Sequence, residues 1–187
     1  MLKRKKNGSI AVFLDRDGTI NLDKNYVNHP RQLELIPGAS QAIRMINENG
    51  LKAVVVSNQS GVARGYLTLR ILGQIHRRLR LLLKRDGARL DAIYYCPYHP
   101  DQKPACRKPE TGMALEARKD LGIELDKSYM IGDNRTDMEF GKNFGAKTVL
   151  VLTGKAKGNE PWIGQLGVNC VAEDILGGVL WVLQDLG

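Results

Sequence analysis

Short runs rich in β-branched and aromatic residues alternate along this chain with longer segments of helical periodicity, and this alternation restricts the possible folds more than any other feature. The β-rich runs are 10–14, 52–57, 91–95, 129–132 and 148–152, with a weaker one at 169–171. The helical segments are 39–49, 68–85, 113–121 and 137–144, and a last helix is predicted in the C-terminal segment GGVLWVLQDLG. A glycine follows each of the first four helical segments, as expected where a helix ends in a left-handed residue. The alternation predicts an α/β fold, with a parallel sheet covered by helices on both faces.

The chain length suits one domain with a substantial core. With 187 residues, we expect a single domain over 1–187, in which the basic segment 1–8 is a flexible tail. The connections after the first two predicted strands leave little room for a large cap domain. No apolar run approaches the ~18 residues of a membrane span, and the N-terminus lacks the apolar stretch of a secretion signal. The sequence therefore predicts a cytoplasmic, monomeric protein with no membrane partner.

The net charge of +8 favours anionic ligands. Much of it lies in KRKK at 3–6 and in RRLRLLLKR at 77–85. Leucine and isoleucine recur at helical spacing at 69, 72, 75, 79, 82 and 83, which predicts an apolar stripe facing the core and arginines facing water. Both basic segments are interpreted as solvated, with a nucleic-acid footprint as the alternative.

Polar residues follow four of the predicted strands. They are Asp15 and Asp17, then Ser57, then Arg107 and Lys108, and then Asp133, Asn134 and, shortly after, Asp137. In a parallel sheet the carboxyl ends of the strands meet at one edge, where ligands bind. Asp15 and Asp17 face the same way if the extended backbone continues, with Arg16 turned elsewhere.

The chemistry of this set is that of phosphoryl transfer. Two carboxylates so close together repel each other unless a cation neutralises them. A site with few protein oxygen ligands suits Mg²⁺, and Asp133 can reach it from another strand. Lys108 offers a fixed positive charge to Asp15 and to phosphate oxygens, and Ser57 offers a hydroxyl. Asp137 is interpreted as a residue that caps or starts the next helix. The set predicts metal-assisted phosphoryl transfer.

These motifs resemble those of the haloacid dehalogenase (HAD) superfamily of phosphatases, with DRDGT as the first motif, Ser57 as the second, Lys108 as the third and GDNRTD as the fourth. More narrowly, FLDRDGTIN, SNQSGVARG, IYYCPYHP and CRKPETGM resemble the D-glycero-D-manno-heptose 1,7-bisphosphate 7-phosphatases and the related histidinol phosphatases. The resemblance covers residues 10 to 155. It implies a three-layer, Rossmann-like fold of the HAD type with a minimal cap.

The resemblance implies a role for each matching residue. Asp15 would be the nucleophile that forms an aspartyl-phosphate, and Asp17 would be the general acid and then the base. Mg²⁺ would be held by Asp15, the backbone carbonyl of Asp17 and Asp133. Ser57 and Lys108 would stabilise the transferred phosphoryl group. Substrate contacts are implied for Asp23, Lys24, Asn25, Tyr26, Asn58, Gln59, Ser60, Arg107 and Asn134.

The chain departs from this family at a loop that commonly binds zinc through Cys-x-His and Cys-x-Cys before Arg-Lys-Pro. Cys96 and Cys106 keep the outer positions, but Tyr98 and Pro104 replace the other two ligands. Structural zinc needs four nitrogen or sulfur ligands, and the loop offers at most Cys96, His99 and Cys106, so we expect no zinc. Three cysteines also argue against a disulfide framework, and the prolines of the loop are expected to hold its conformation.

The leading hypothesis is a Mg²⁺-dependent phosphatase that acts on a small sugar phosphate, most directly the 7-phosphate of heptose bisphosphate. Histidinol phosphate is the near alternative substrate. A nucleic-acid 3′-phosphatase is a second alternative, motivated by the net charge, although aromatic and basic residues do not interleave at the predicted site. A non-enzymatic anion-binding module is a third, and the presence of every catalytic position argues against it.

Overall fold

The computed structural model describes residues 8–187, and six parallel strands form the sheet at its centre. The strands are β1 (Ala11–Leu14), β2 (Lys52–Asn58), β3 (Ala92–Cys96), β4 (Tyr129–Gly132), β5 (Lys147–Val151) and β6 (Cys170–Ala172). Their order across the sheet is β3-β2-β1-β4-β5-β6. The predicted parallel α/β architecture is confirmed. The predicted flexible tail covers residues 1–8, of which 1–7 lie outside the described residues. Gly8 precedes Ser9, which pairs with Ile123.

The central strand β1 fixes the position of the ligand-binding edge. It pairs with β2 on one side and β4 on the other, so that Phe13 lies opposite Val54 and Met130. All four residues of β1 are fully buried, as expected for a strand covered on both faces. Because the chain runs outward from β1 in both directions, the topological switch point lies at the carboxyl ends of β1 and β4.

Helices cover the two faces of the sheet and make three layers. They are α1 (Ala39–Glu48), α2 (Leu69–Arg85), α3 (Gly112–Leu121), α4 (Arg135–Asn143), α5 (Pro161–Gln165) and α6 (Ile175–Leu186). Val12 and Leu14 of β1 pack into the core with α1, α2 and α6, whereas Ala11 and Phe13 pack with α3 and α4. The longest of these helices has 17 residues, and none within residues 8–187 is long and apolar enough to cross a bilayer.

The connections after β1 and β2, residues 15–38 and 59–68, add no second sheet or domain above the site. Both ranges lie within the described chain, and their one helical element is the three-residue 3₁₀ helix Pro30–Gln32. The expected minimal cap agrees with this arrangement. The carboxyl edge of the sheet is therefore covered by loops rather than by a folded lid.

The predicted elements differ from the observed ones mainly at their ends, and short α5 had no periodicity by which to predict it. Helix α6 begins before its glycines, because the Asp174 side chain caps it by accepting from Gly177 N at 2.8 Å. A Cβ at Gly178 would lie 3.1 Å from Val149 Cγ1, so this glycine lets the helix approach the sheet closely. The prediction that Leu69 faces the core is wrong: this first residue of α2 is 54% exposed.

Candidate active site

The carboxyl ends of β1, β2 and β4 bring their polar residues to one edge of the sheet. Asp15 follows β1 directly, Ser57 lies near the end of β2, and Asp133 follows β4 directly. Asp15 N donates to Ile131 O at 2.9 Å, so the pairing of β1 with β4 continues up to this aspartate. The backbone of the sheet, rather than a flexible loop, therefore fixes the position of Asp15.

Three buried carboxylates face one another at this edge. One oxygen each from Asp15, Asp133 and Asp137 lies within 4.8 Å of the others. Burial raises the pKa of Asp15 to about 7, against the opposing effect of Lys108. Burial and the charge of Asp15 raise the pKa of Asp133 to about 6, and burial also raises the pKa of Asp137. Such carboxylates disfavour one another's charge, which makes their common centre a strong site for a cation.

Lys108 supplies one positive charge to this group. Its Nζ lies 2.5 Å from Asp15 Oδ1 and 2.7 Å from Asp137 Oδ1, and it donates to Val56 O at 2.8 Å. Burial alone would lower the pKa of Lys108, but the two carboxylates raise it above its ordinary value. Three carboxylates and one ammonium leave two negative charges uncompensated. A divalent cation with oxygen ligands, such as Mg²⁺, fits this donor set.

The carboxylate of Asp17 is held apart from this trio. Burial would raise the pKa of Asp17, but Arg16, together with Asn21 and Gln59, holds it below its ordinary value. Arg16 folds back and pairs with Asp17, a contact that the sequence did not predict. The extended geometry ends with β1, and the chain turns at Gly18, whose φ is +83°.

A cavity of about 450 Å³ opens beside these groups. Its lining is polar and carries four cationic side chains besides Lys108, which suits an anionic ligand. The lining residues are Asp15, Asp17, Asp23, Asn25, Tyr26, Ser57, Asn58, Ser60, Arg64, Arg107, Lys108, Asn134, Arg135, Thr136 and Lys155. Arg107 Nη1 is buried and has no hydrogen-bond partner within residues 8–187.

Seven of the nine predicted substrate contacts line this cavity. They are Asp23, Asn25, Tyr26, Asn58, Ser60, Arg107 and Asn134. The other two do not line it. Lys24 Nζ pairs with Glu34 Oε2 at 3.1 Å on the protein surface, and Gln59 Nε2 donates to Asp17 Oδ2 at 3.0 Å and to Ser57 Oγ at 2.8 Å. The structure thus brings most of the predicted set together and gives Lys24 and Gln59 protein partners instead.

Comparison with known proteins agrees with this site. The chain is 44% identical over 157 residues to the D-glycero-beta-D-manno-heptose-1,7-bisphosphate 7-phosphatase of Haemophilus ducreyi, covering 80% of this chain and 86% of the relative. It is 37% identical over 191 residues to the corresponding enzyme of Thermosynechococcus vestitus, covering 94% and 96%. The chain belongs to the heptose-1,7-bisphosphate 7-phosphatase family. The family model for HAD-like hydrolases ("Hydrolase_like: HAD-hyrolase-like") also matches residues 105–166.

A solved structure of the heptose-bisphosphatase family superposes on nearly the whole chain. The D,D-heptose 1,7-bisphosphate phosphatase from B. bronchiseptica, crystallised with magnesium and phosphate, matches with a TM-score of 0.84 and 32% identity. The match covers 94% of this chain and 99% of that one. The HAD-like fold predicted from the sequence is confirmed.

Asp137 belongs to the site as well as to the first turn of α4. The N-cap of α4 is Asn134, whose Oδ1 accepts from Thr136 N at 2.9 Å, so the helix does not need Asp137 as a cap. Asp137 is instead fully buried against Lys108. The signal that could have identified it is its place in the first turn of the helix that follows Asp133, which keeps it near the carboxyl end of β4.

The loop after β5 closes onto Asp133 and holds it in place. Lys155 N donates to Asp133 Oδ2 at 2.8 Å, and Thr153 Oγ1 donates to Gly18 O at 2.6 Å. Gly154 lies against the Asp133 carboxylate so closely that a Cβ there would overlap it. This loop, which the sequence analysis did not assign to the site, therefore fixes one of the three carboxylates.

The loop between β3 and α3 differs from the sequence expectation in one respect. Cys96 and Cys106 form a disulfide, although the cysteine count argued against a disulfide framework, and Cys170 is free. They are adjacent because the loop returns from the end of β3 to the segment that carries Lys108. His99 Nδ1 accepts from Asp101 N at 3.4 Å and caps a 3₁₀ turn.

Proposed function

We propose that this protein hydrolyses the 7-phosphate of D-glycero-D-manno-heptose 1,7-bisphosphate. The family relationship supports the substrate class, and the cationic cavity beside the carboxylates supports a bisphosphate ligand. The observation that carries the proposal is the buried contact between Asp15 Oδ1 and Lys108 Nζ, at 2.5 Å, at the base of that cavity. It places a carboxylate oxygen and a fixed positive charge where a phosphoryl group would enter.

The first step forms an aspartyl-phosphate. Lys108 holds Oδ1 of Asp15, so we assign Oδ2 as the oxygen that attacks phosphorus. The new bond joins Asp15 to phosphorus while the bond between phosphorus and the sugar oxygen breaks. The negative charge of the bound phosphate favours the protonated form of Asp17, which delivers its proton to that leaving oxygen. Ser57 and Lys108 stabilise the charge that develops on the phosphoryl oxygens.

The second step releases inorganic phosphate. A water molecule attacks phosphorus, and the bond between phosphorus and Asp15 breaks. Asp17, now a carboxylate, accepts the proton of that water. The free Asp15 carboxylate and the protonated Asp17 are then ready for another cycle.

Magnesium fits the acidic group, and we propose that Asp15, Asp133 and the backbone carbonyl of Asp17 hold it. When bound, it neutralises the two uncompensated charges and makes phosphorus more electrophilic. Asp137 does not need to bind the metal directly, since its carboxylate already pairs with Lys108 at 2.7 Å.

The cationic rim of the cavity would bind the second phosphate of the substrate. Burial and the neighbouring Arg64 guanidinium lower the pKa of Arg107, and both arginines line the cavity. Asp23, Asn25 and Tyr26 line the same cavity and are proposed to contact sugar hydroxyl groups. Ser60, Asn58 and Asn134 complete the proposed contacts.

The test measures release of inorganic phosphate from heptose 1,7-bisphosphate and from histidinol phosphate with Mg²⁺ present. We expect kcat/KM to favour the heptose bisphosphate and Asp15→Asn to abolish turnover of both, while the exposed control Asp86→Asn retains it. A ratio that favours histidinol phosphate would overturn the substrate assignment. Near-normal turnover by Asp15→Asn would overturn the covalent mechanism.

Two expectations from the sequence remain predictions, a monomeric state and a cytoplasmic location. Sedimentation of the purified protein checks the first, with one species near 20.8 kDa as the expected result. The alternative of a nucleic-acid 3′-phosphatase predicts a rate that falls steeply with salt, since nucleic-acid contacts release counterions. We expect the rate on the sugar phosphate to depend only weakly on salt.

A further inference from the structure

Arg16, between the two aspartates of the first motif, is the one fully buried arginine among residues 8–187. Its side chain is 1% exposed. Burying a guanidinium is unfavourable unless its charge and its donors find partners. Arg16 does not line the cavity, so a direct contact with substrate does not account for its burial.

The partner of Arg16 is the carboxylate of Asp17. Arg16 Nη2 donates to Asp17 Oδ2 at 2.6 Å, and Arg16 Nε donates to Asp17 Oδ1 at 3.2 Å. These two parallel contacts match the planar fork of guanidinium to the two oxygens of the carboxylate. A two-point contact fixes the plane of the carboxylate as well as its position, which a single hydrogen bond cannot do.

Two further donors complete this arrangement. Asn21 Nδ2 donates to Asp17 Oδ1 at 2.8 Å, and Gln59 Nε2 donates to Asp17 Oδ2 at 3.0 Å. The Asp17 carboxylate thus accepts four hydrogen bonds, of which Arg16 supplies two. Asp17 still borders the cavity, so a carboxylate that is fixed from behind faces the ligand space in front.

The far side of Arg16 is anchored to other elements. Nη2 also donates to Gln59 Oε1 at 3.3 Å, and Nη1 lies 3.4 Å from His76 Nε2. Because guanidinium has no acceptor, His76 Nε2 must be the acceptor, and the ring is then neutral with its proton on Nδ1. His76 is buried in α2 and its ring centroid lies 5.3 Å from that of Tyr95. Helix α2 therefore holds the guanidinium in place.

We propose that Arg16 is a positioning residue for proton transfer, fixing the Asp17 carboxylate in the orientation that reaches the leaving-group oxygen. The inference rests on the proposed function, in which Asp17 protonates that oxygen. Arg16 itself has no proton to give at neutral pH and cannot reach the ligand, so it acts through Asp17. A misplacement of ~1 Å at a reacting group can cost ~100-fold in rate, which sets the expected size of the effect.

The test compares esters that differ in their need for a proton. The sugar part of heptose bisphosphate leaves phosphorus as an alkoxide unless it is protonated, whereas p-nitrophenyl phosphate releases a stable phenolate. For Arg16→Met we expect kcat/KM to fall ~100-fold on the heptose ester and less than fivefold on the aryl ester. Arg16→Lys keeps the buried charge but not the fork, so we expect a loss of ~10-fold on the heptose ester.

Asp17→Asn provides the decisive comparison. If Arg16 acts through Asp17, adding Arg16→Met to Asp17→Asn should cause less than a threefold further loss on the heptose ester. Arg77, an exposed arginine of α2, provides the matched control. Arg77→Met should keep the wild-type kcat/KM on both esters.

Equal losses on the two esters, or full additivity with Asp17→Asn, would overturn the positioning role. Arg16→Lys with wild-type activity on the heptose ester would overturn the role of the fork. The aryl ester also reports whether Arg16→Met is folded and can form the aspartyl-phosphate, and inactivity there contradicts the proposal. A wild-type enzyme that hydrolyses neither ester overturns the proposed function itself, and this inference with it.

Discussion

Lys108 Nζ donates to Asp15 Oδ1 at 2.5 Å although the two residues are 93 positions apart in the chain. Asp15 follows β1, and Lys108 lies in the loop after β3. Strand β2 lies between β1 and β3 in the sheet. Asn58 at the end of β2 links them, since Asn58 Nδ2 donates to Lys108 O at 3.1 Å and Lys108 N donates to Asn58 Oδ1 at 3.0 Å. The contact therefore depends on the register of three strands and not on a flexible lysine.

Replacing Lys108 by methionine should remove both activity and stability. The change leaves Asp15 and Asp137 buried without their positive partner, which for a broken buried pair costs about 3 kcal/mol. Loss of one fixed charge at the phosphoryl group should lower kcat by ~100-fold or more. Urea unfolding in EDTA and steady-state kinetics in Mg²⁺ measure the two effects.

The control for this variant is Lys127→Met. Lys127 pairs with Glu124 on the protein surface, remote from the cavity lining. We expect its unfolding midpoint and its kcat to stay at wild-type values. Wild-type kcat in Lys108→Met would show that the Asp15 contact has no part in the reaction.

Magnesium should stabilise the protein more as pH rises. In the metal-free protein the pKa of Asp15 is about 7 and that of Asp133 about 6, both above their ordinary value of 3.8. The protons bound to these two carboxylates therefore stabilise the folded state at low pH. This stabilisation is lost as pH rises through 6 and 7. Magnesium competes with protons for the same oxygens, so its affinity should increase over this range.

Calorimetric unfolding with EDTA or Mg²⁺ at pH 5, 6, 7 and 8 checks this. The difference in Tm between the two conditions should be smallest at pH 5 and largest at pH 8. Asp133→Asn should reduce the difference at every pH, since it removes one acidic ligand. A difference that is constant from pH 5 to 8 would show that protons and metal do not share these carboxylates.

Gly154→Ala should weaken metal binding without unfolding the sheet. The new methyl group would overlap the Asp133 carboxylate, so either this carboxylate or the loop after β5 must move. We expect the Mg²⁺ concentration at half-maximal rate to increase ~10-fold, which is about 1.4 kcal/mol of binding free energy. Gly164→Ala is the matched control, because no atom lies within 4 Å of its added Cβ. If both variants respond to Mg²⁺ alike, the loop does not position Asp133.

The sequence predicted the strands and the residues at their carboxyl ends because both depend on local patterns. An apolar run followed by polar residues marks the end of a buried strand, and a parallel sheet brings those ends together. This is why Asp15, Ser57, Lys108 and Asp133 could be grouped in advance. The pattern does not require knowledge of which strand neighbours which.

The contacts that could not be predicted from the sequence depend on side-chain direction beyond the strand ends. Arg16 turns back because the extended backbone stops at Leu14, and no periodicity extends into that turn. Lys24, predicted to contact substrate, instead pairs with Glu34, a partner from another part of the same loop. Asp137 lies in the first turn of α4, as predicted. Its pairing with Lys108 could be seen only once β3 and β4 were placed.

The disulfide between Cys96 and Cys106 should stabilise the loop that precedes Lys108. Closing a loop with a sequence separation of 10 restricts the unfolded chain and is expected to contribute about 3 kcal/mol at 25 °C. Thiol titration in denaturant should therefore detect one cysteine, Cys170, before reduction and three after it. Dithiothreitol should lower the unfolding midpoint of the wild type and of Cys170→Ser alike, but not that of Cys96→Ser/Cys106→Ser. Three reactive thiols before reduction, or zinc bound in equal amount to the protein, would contradict the disulfide and restore the metal loop of the family.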